Sequence, residues 1–284
     1  MRDIERLRLV IAAARTGAIS EAAREQNTSQ PVLSRAIARV ETDLGYKLFV
    51  REPTGVSLTG EAAAALARMR VIVEDYDALF QPRRHVPLRI GYAWAGLTPA
   101  LETAVERWRA QHSEYVELLQ FDDPIRALAN LRIDLAIARK PAHRASGWAD
   151  YITATPFAHE SRVFAINSAH PLARREALGL DEVCAQMTLV VNSTSGSVPH
   201  DLWGHYVGAA LQAHNPGTWL EHIAAATDRF GVTSTTTAEF NIHPRVAYIS
   251  GTDIPRAVIE LLTSTPPSSQ GRRFLEFADA YVAP

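Results

Sequence analysis

The feature that most constrains this chain is a short apolar stripe near its start. Leu33, Ala36, Ile37 and Val40 recur at i, i+3, i+4 and i+7. This puts them on one face of a helix over 30–42 and turns Pro31, Ser34, Arg35, Ala38 and Arg39 to the other. Pro31 falls in the first turn, where its missing N–H costs nothing. A preceding helix over 19–26 carries the small pair Ala22 and Ala23, which lets another helix approach closely. Only Asn27 to Ser29 separate the two. Short helix, tight turn and second helix with a polar outer face describe a helix-turn-helix. Periodicity by itself also describes an ordinary amphipathic helix whose polar face meets only water.

The residue types on that face suit DNA. Arg35 and Arg39 offer planar donor forks to guanine or phosphate, and Gln30 matches an adenine edge. Ser29 and Ser34 are short hydroxyl donors for phosphate, where contacts set register and carry no sequence information. Downstream, Leu48 and Phe49 anchor a small hairpin around Pro53, Thr54 and Gly55, whose Arg51 and Thr54 would reach the flanking backbone as a wing. Charge supports this weakly. The whole chain is formally −2, but nine cations against seven anions leave residues 1–58 at +2 and the remainder at −4.

Spacing adds a resemblance. Gly17, Ala18, Ile19 and Ser20 with Ala22 and Ala23, then Ser29 to Arg35 with Ile37, resemble the signature of LysR-type bacterial transcription regulators. So do Glu41, Leu44, Gly45, Leu48, Phe49 and Arg51, followed by Leu58 and Thr59. The resemblance implies a winged helix-turn-helix over 1–58 in which Ser29, Gln30, Pro31, Ser34 and Arg35 meet DNA, with Arg51 in the wing. Arg39 and Thr54 complete the expected surface. Gln26 and Ala62 depart from the family pattern, which has a buried leucine and a glycine there. Leu9 and Ile19 replace common phenylalanines, an apolar exchange that repacks at small cost. A buried, unpartnered Gln26 amide would cost about 1–3 kcal/mol.

Residues 59–87 read as a linker dominated by one helix. Ala62, Leu66, Met69, Val73, Tyr76 and Phe80 form a heptad-like stripe that Ala65, Ile72 and Leu79 widen. Thr59 is the expected N-cap, with Glu61 in the first turn. A helix from Gly60 to Phe80 spans about 30 Å at about 1.5 Å per residue, long for one that packs only on its own domain. Leu66, Met69, Val73, Tyr76 and Phe80 are therefore expected to form a dimer seam, and the resemblance implies pairing through this helix. A core helix of the N-terminal domain is the other reading.

From Leu88 onward, strand-like runs alternate with helical ones, at 88–93, 117–121, 134–138, 162–166, 188–191, 245–249 and 257–262. Asp134 to Arg139, Asn167 with His170 to Leu172, and Arg229 with Gly231 and Val232 are looser marks of the same family. They imply a two-lobed α/β effector-binding domain over 88–284, resembling periplasmic binding proteins. One lobe is expected at 88–160 and 252–284, the other at 161–251. Three loops follow strands: the one with Trp94 and Thr98, the one with Ser193, Thr194 and Ser195, and the hydroxyl run from Thr233 to Thr237. Each alone reads as a surface loop. Together they mark an expected cleft between the lobes, in which Trp94, Thr98, Ser193, Thr194, Ser195 and Thr233 hold a small-molecule effector of unknown identity.

Enzyme chemistry has no positive support, so no catalytic residue, metal or cofactor is expected. His200 and His205 are five apart, not the i, i+4 pair of a helical metal site, and Ser195 lacks a nucleophile elbow. Asp122 and Asp123 are expected to cap the next helix. Cys184 is the single cysteine, so the sequence holds no internal disulfide and fits a reducing cytoplasm. A solute-binding protein would suit the C-terminal half, but not the first 58 residues. The expected partners are a double-stranded DNA operator, the effector, and a second copy in a homodimer or a homotetramer. RNA polymerase is a further candidate.

Overall fold

A computed structural model of the protein describes residues 3–52, 55–80, 87–93, 96–112, 114–140, 149–192 and 210–279. The chain divides into two units. Met1–Ile137, Trp148–Thr155 and Leu261–Pro284 make the first, and Ala138–Gly147 with Pro156–Glu260 make the second.

The first unit opens with three helices, α1 (Asp3–Thr16), α2 (Ile19–Glu25) and α3 (Gln30–Leu44). Antiparallel strands β1 (Phe49–Glu52) and β2 (Gly55–Leu58) follow. Leu33, Ala36, Ile37 and Val40 are buried with Val10, Ala13, Ala22 and Ala23, as their spacing requires. Full burial of a leucine such as Leu33 contributes about 1.5–3 kcal/mol. Gly45 ends α3 at φ +81, a left-handed turn that glycine adopts without a Cβ penalty.

Helix α4 (Ala62–Phe80) begins later than its sequence signals indicate. Thr59 does not cap it through its side chain; the hydroxyl donates to the Lys47 carbonyl at 2.7 Å. Gln26 is not buried either. It lies exposed at the end of α2, where water solvates the amide and the expected cost does not arise.

The unit continues with β3 (Leu88–Tyr92), α5 (Pro99–Gln111), β4 (Val116–Gln120), α6 (Pro124–Ala129) and β5 (Leu135–Arg139). Parallel β3 pairs with both β4 and β5, so its buried Ile90 stands between Leu118 and Leu135. The five-stranded sheet runs β4-β3-β5-β13-β6. Its β5, β6 (Ile152–Glu160) and β13 (Ala257–Ser264) lie partly in each unit along the chain. Helix α10 (Ser269–Asp279) places Phe274 beside Trp108 of α5.

The second unit holds a six-stranded sheet ordered β10-β9-β11-β7-β12-β8. Its strands are β7 (Arg162–Asn167), β8 (Ala177–Leu178), β9 (Thr188–Asn192), β10 (Leu211–Ala213), β11 (Arg229–Ser234) and β12 (Val246–Gly251). Helices α7 (Leu180–Cys184), α8 (Pro216–Ala225) and α9 (Thr235–Phe240) connect them. Phe164, Ile166, Phe230 and Val232 pack in one core layer; Ala165, Val190, Trp219 and Ile223 pack in another. Trp219 of α8 crosses the sheet at Gly231, where an added Cβ would fall 2.2 Å from the indole ring. Its Nε1 donates to the Val190 carbonyl at 2.9 Å.

Candidate nucleic-acid interface

The two-helix arrangement is built from the turn outward. Asn27 adopts φ +48, a left-handed conformation that asparagine tolerates, and the chain reverses there between α2 and α3. Pro31 sits in the first turn of α3. Ser29, Gln30, Pro31, Arg35 and Arg39 are exposed and Ser34 is half-buried, while the opposite face fills the core. Arg35 Nε donates to the Pro31 carbonyl at 3.2 Å, and Arg39 pairs with Asp43 at 3.3 Å. Both contacts are exposed and local, so releasing them to meet a nucleic acid costs little.

Arg51 is exposed on β1 of the hairpin. Thr54 lies outside the described residues. The hairpin is held on the head by close backbone approach: Val56 N donates to the Gly17 carbonyl at 2.8 Å. At Gly55, φ is +147 and a Cβ would stand 2.3 Å from that same carbonyl oxygen. Only glycine fits this corner.

A second anchor was not foreseen. Glu41 is buried on α3, and its Oε1 accepts from Leu48 N at 3.0 Å and Phe49 N at 3.4 Å. Its Oε2 accepts from Lys47 Nζ at 2.6 Å. Burial pushes its pKa up, but Lys47 and the two backbone donors outweigh that and hold the carboxyl below its ordinary value. A carboxylate thus fixes the hairpin's entry to α3. The sequence marked Glu41 in the family pattern without saying what it does there.

The linker helix corrects the expected seam. Leu66 and Met69 are buried in the N-terminal core together with Ala62, and so cannot offer surface to a second copy. Val73 and Tyr76 are half-buried. The exposed large apolar side chains of α4 are Ile72 (53%), Leu79 (78%) and Phe80 (68%). The reason is geometric: the first turns of α4 close the small core of α1–α3, and only the later turns project beyond it. There Arg8 of α1 forms a two-point ion pair with Asp77, with Nη1 to Oδ2 at 2.9 Å.

Of the expected effector residues, Trp94, Ser193, Thr194 and Ser195 lie outside the described residues. Thr98 is buried in the first unit, where its Oγ1 caps α5 by accepting from Leu101 N at 3.3 Å. Thr233 is buried in the second unit at the end of β11. The hydroxyl run that follows is not a free loop. Ser234 caps α9 by accepting from Thr237 N at 3.2 Å, and Ser234 and Thr237 share a 2.9 Å hydroxyl bond.

That cap belongs to a buried polar cluster of the second unit that sequence reasoning missed. Arg139 Nε donates to Glu160 Oε2 at 2.8 Å, and its Nη2 to Ser234 Oγ at 2.9 Å. Glu160 Oε1 also accepts from Thr236 N at 3.0 Å. Burial raises the Glu160 pKa, yet Arg139 with Thr236 and Ser234 lowers it overall. Arg139 stood in a family landmark; nothing around Glu160 distinguished it from a surface acid.

Cys184 is half-buried, and burial, with Asp181 and Asp253, pushes its thiol up to about 11. A thiol held protonated at neutral pH is a poor nucleophile. Asp123 Oδ1 accepts from Arg126 N at 2.9 Å and so caps α6 as expected. Among the described residues, no helix is long and apolar enough to cross a membrane, and no group of three or more His, Cys, Asp or Glu could hold a metal.

Comparison with known proteins places this geometry. Residues 4–63 match the bacterial regulatory helix-turn-helix protein model of the lysR family, and residues 87–228, half of the chain, match the LysR substrate binding domain. The HTH-type transcriptional regulator TtuA of Agrobacterium vitis is 27% identical over 213 residues, covering 70% of this chain and 67% of that protein. Another curated relative is matched over only 45% of its length. A full-length OxyR variant from Pseudomonas aeruginosa shares the fold at TM-score 0.70 and 16% identity, covering 99% of this chain and 94% of that one. Full-length CbnR complexed with its target DNA shares it at TM-score 0.54 and 18% identity, over 99% of both chains. The exposed polar face of α3, the hairpin tied to it and the substrate binding domain that follows in the chain make this chain a member of the LysR family of DNA-binding transcription regulators.

Proposed function

We propose that the protein recognises its operator with α3 in the major groove, through Ser29, Gln30, Pro31, Ser34, Arg35 and Arg39, while Arg51 and Thr54 hold the flanking phosphates. The observation that carries this reading is the split of α3 into a fully buried apolar face and an exposed face bearing two lightly held arginines. It acts as a homodimer through the later turns of α4, which suits two half-sites one helical turn apart. Two dimers make a tetramer, and RNA polymerase is the further partner at the promoter. The protein works in the cytoplasm.

A small-molecule effector bound in the C-terminal half alters this DNA complex, with Trp94, Thr98, Ser193, Thr194, Ser195 and Thr233 in its site. The match to a substrate-binding domain supports an effector. An effector shifts the regulator only by its differential affinity for two arrangements.

Gel-shift titration against the duplex upstream of the protein's own coding sequence tests the DNA reading. Arg35→Ala is expected to weaken specific binding by about 1–3 kcal/mol. Arg51→Ala is expected to weaken all sequences alike and to shallow the salt slope by about 1. Full-strength binding by Arg35→Ala would remove Arg35 from the interface.

A further inference from the structure

The connection between α6 and β5 carries two contacts of opposite kind, both directed at the DNA-reading head and its linker helix. Leu131 is the first. It is 2% exposed and joins the core cluster whose other buried members all lie between Leu9 and Met69. It holds φ +57 as the left-handed residue that ends α6, where its own N donates to the Leu128 carbonyl at 3.0 Å and Arg132 N to the Ala127 carbonyl at 2.9 Å.

Asp134, three residues on, is the second. It is buried; its Oδ2 accepts from Arg89 N at 2.9 Å and Arg89 Nε at 3.2 Å. Its Oδ1 stands 3.6 Å from Nη1 of Arg70, on the buried side of α4. Arg70 Nη2 donates to Ser264 Oγ at 2.6 Å, at the end of β13. Its Nε lies 3.8 Å from Glu74, whose Oε2 accepts from Ser269 N at 2.9 Å. Arg70 Nε and Nη1 have no hydrogen-bond partner.

A buried guanidinium with two unspent donors is poorly settled, because each donor left water without a replacement. Leu131 is an apolar side chain lent to a core that the head and the linker helix otherwise build alone. Both occur where one loop of the substrate-binding half meets the head and its linker helix. We propose that the 130–134 loop is a coupling joint. Leu131 plugs the core of the DNA-reading head, Asp134 holds Arg70 of the linker helix, and together they set the head's orientation. Movement of β5 or β13 shifts both contacts at once. The spare donors of Arg70 give the joint a second resting position, in which they find acceptors they lack here.

The test is an intrachain distance in the full-length protein. Ala38→Cys and Glu106→Cys, both exposed positions, are spin-labelled in a Cys184→Ala background and diluted with unlabelled chain. The Leu131→Gly substitution keeps the left-handed turn and removes the plug; Arg70→Met keeps the stem and removes the charge; Leu131→Met keeps an apolar plug. The first two are expected to shift the distance distribution or roughly double its width, with helix content by circular dichroism unchanged. Leu131→Met is expected to leave it as in the parent. A distribution unmoved by Leu131→Gly and by Arg70→Met overturns the joint. If Leu131→Gly loses helix content, Arg70→Met, which leaves the head's apolar core intact, decides alone.

Discussion

Replacing Glu41 removes an acceptor on which two backbone donors depend. In Glu41→Ala, Leu48 N–H stays buried with nothing to accept it, and a cavity opens under the hairpin. An unsatisfied buried donor costs about 1–3 kcal/mol. The Lys47 contact adds little, because that ammonium is 73% exposed and screened by water. The expected loss is therefore about 2–3 kcal/mol, with Glu41→Gln losing about 1–2, since one carbonyl oxygen still reaches Leu48 N but the charge is gone.

Amide exchange of α3 and the hairpin in the full chain reads this locally, without requiring two-state unfolding of a multi-unit protein. At a tenfold change per 1.4 kcal/mol, Glu41→Ala is expected to accelerate exchange roughly 30- to 150-fold. The pH dependence has a definite sign. The folded-state pKa of Glu41 lies below its ordinary value, so its stabilisation is present above the unfolded carboxylate pKa and is lost as pH falls through the folded one. The gap between parent and Glu41→Gln should narrow over that acid range, with intrinsic rates cancelling at each pH. Exchange in Glu41→Ala within twofold of the parent at neutral pH would refute the anchor, as would a gap that widens in acid.

Other outcomes follow from the same geometry. Gly55→Ala should displace the hairpin and weaken DNA binding in gel shift, since its Cβ meets the Gly17 carbonyl oxygen at 2.3 Å; parental affinity would show that the corner yields. Ile72→Asp with Leu79→Asp should reduce the mass seen by light scattering to that of a monomer, because both side chains are exposed on α4. Leu66→Asp should instead destabilise the head by more than about 3 kcal/mol by burying a charge in its core. Thr233→Val keeps the shape of a buried side chain and removes one hydroxyl. It should lower calorimetric affinity for any metabolite that alters DNA binding, while the free protein binds DNA as before; Thr98→Val is a poorer probe because it also removes the cap of α5.

The sequence alone determined the helix over 30–42, since four apolar residues at helical spacing, a proline in the first turn and a glycine at the end are local signals that need no distant partner; that it belongs to a DNA-reading pair came from the spacing that resembles LysR-type regulators. It also placed most strands of the C-terminal half, where the run Arg162–Asn167 is buried on both faces. Tertiary structure decided which of several equivalent apolar faces is covered. The stripe of α4 reads as one seam, yet Leu66 and Met69 belong to the head's own core while Ile72 and Leu79 stand exposed. It likewise decided which polar residues go inside. Glu41, Arg70, Asp134 and Glu160 look like surface charges in one dimension, because each partner that makes burial tolerable arrives from another element. Periodicity records how a residue faces its own helix or strand; what stands opposite is set only when the chain folds back.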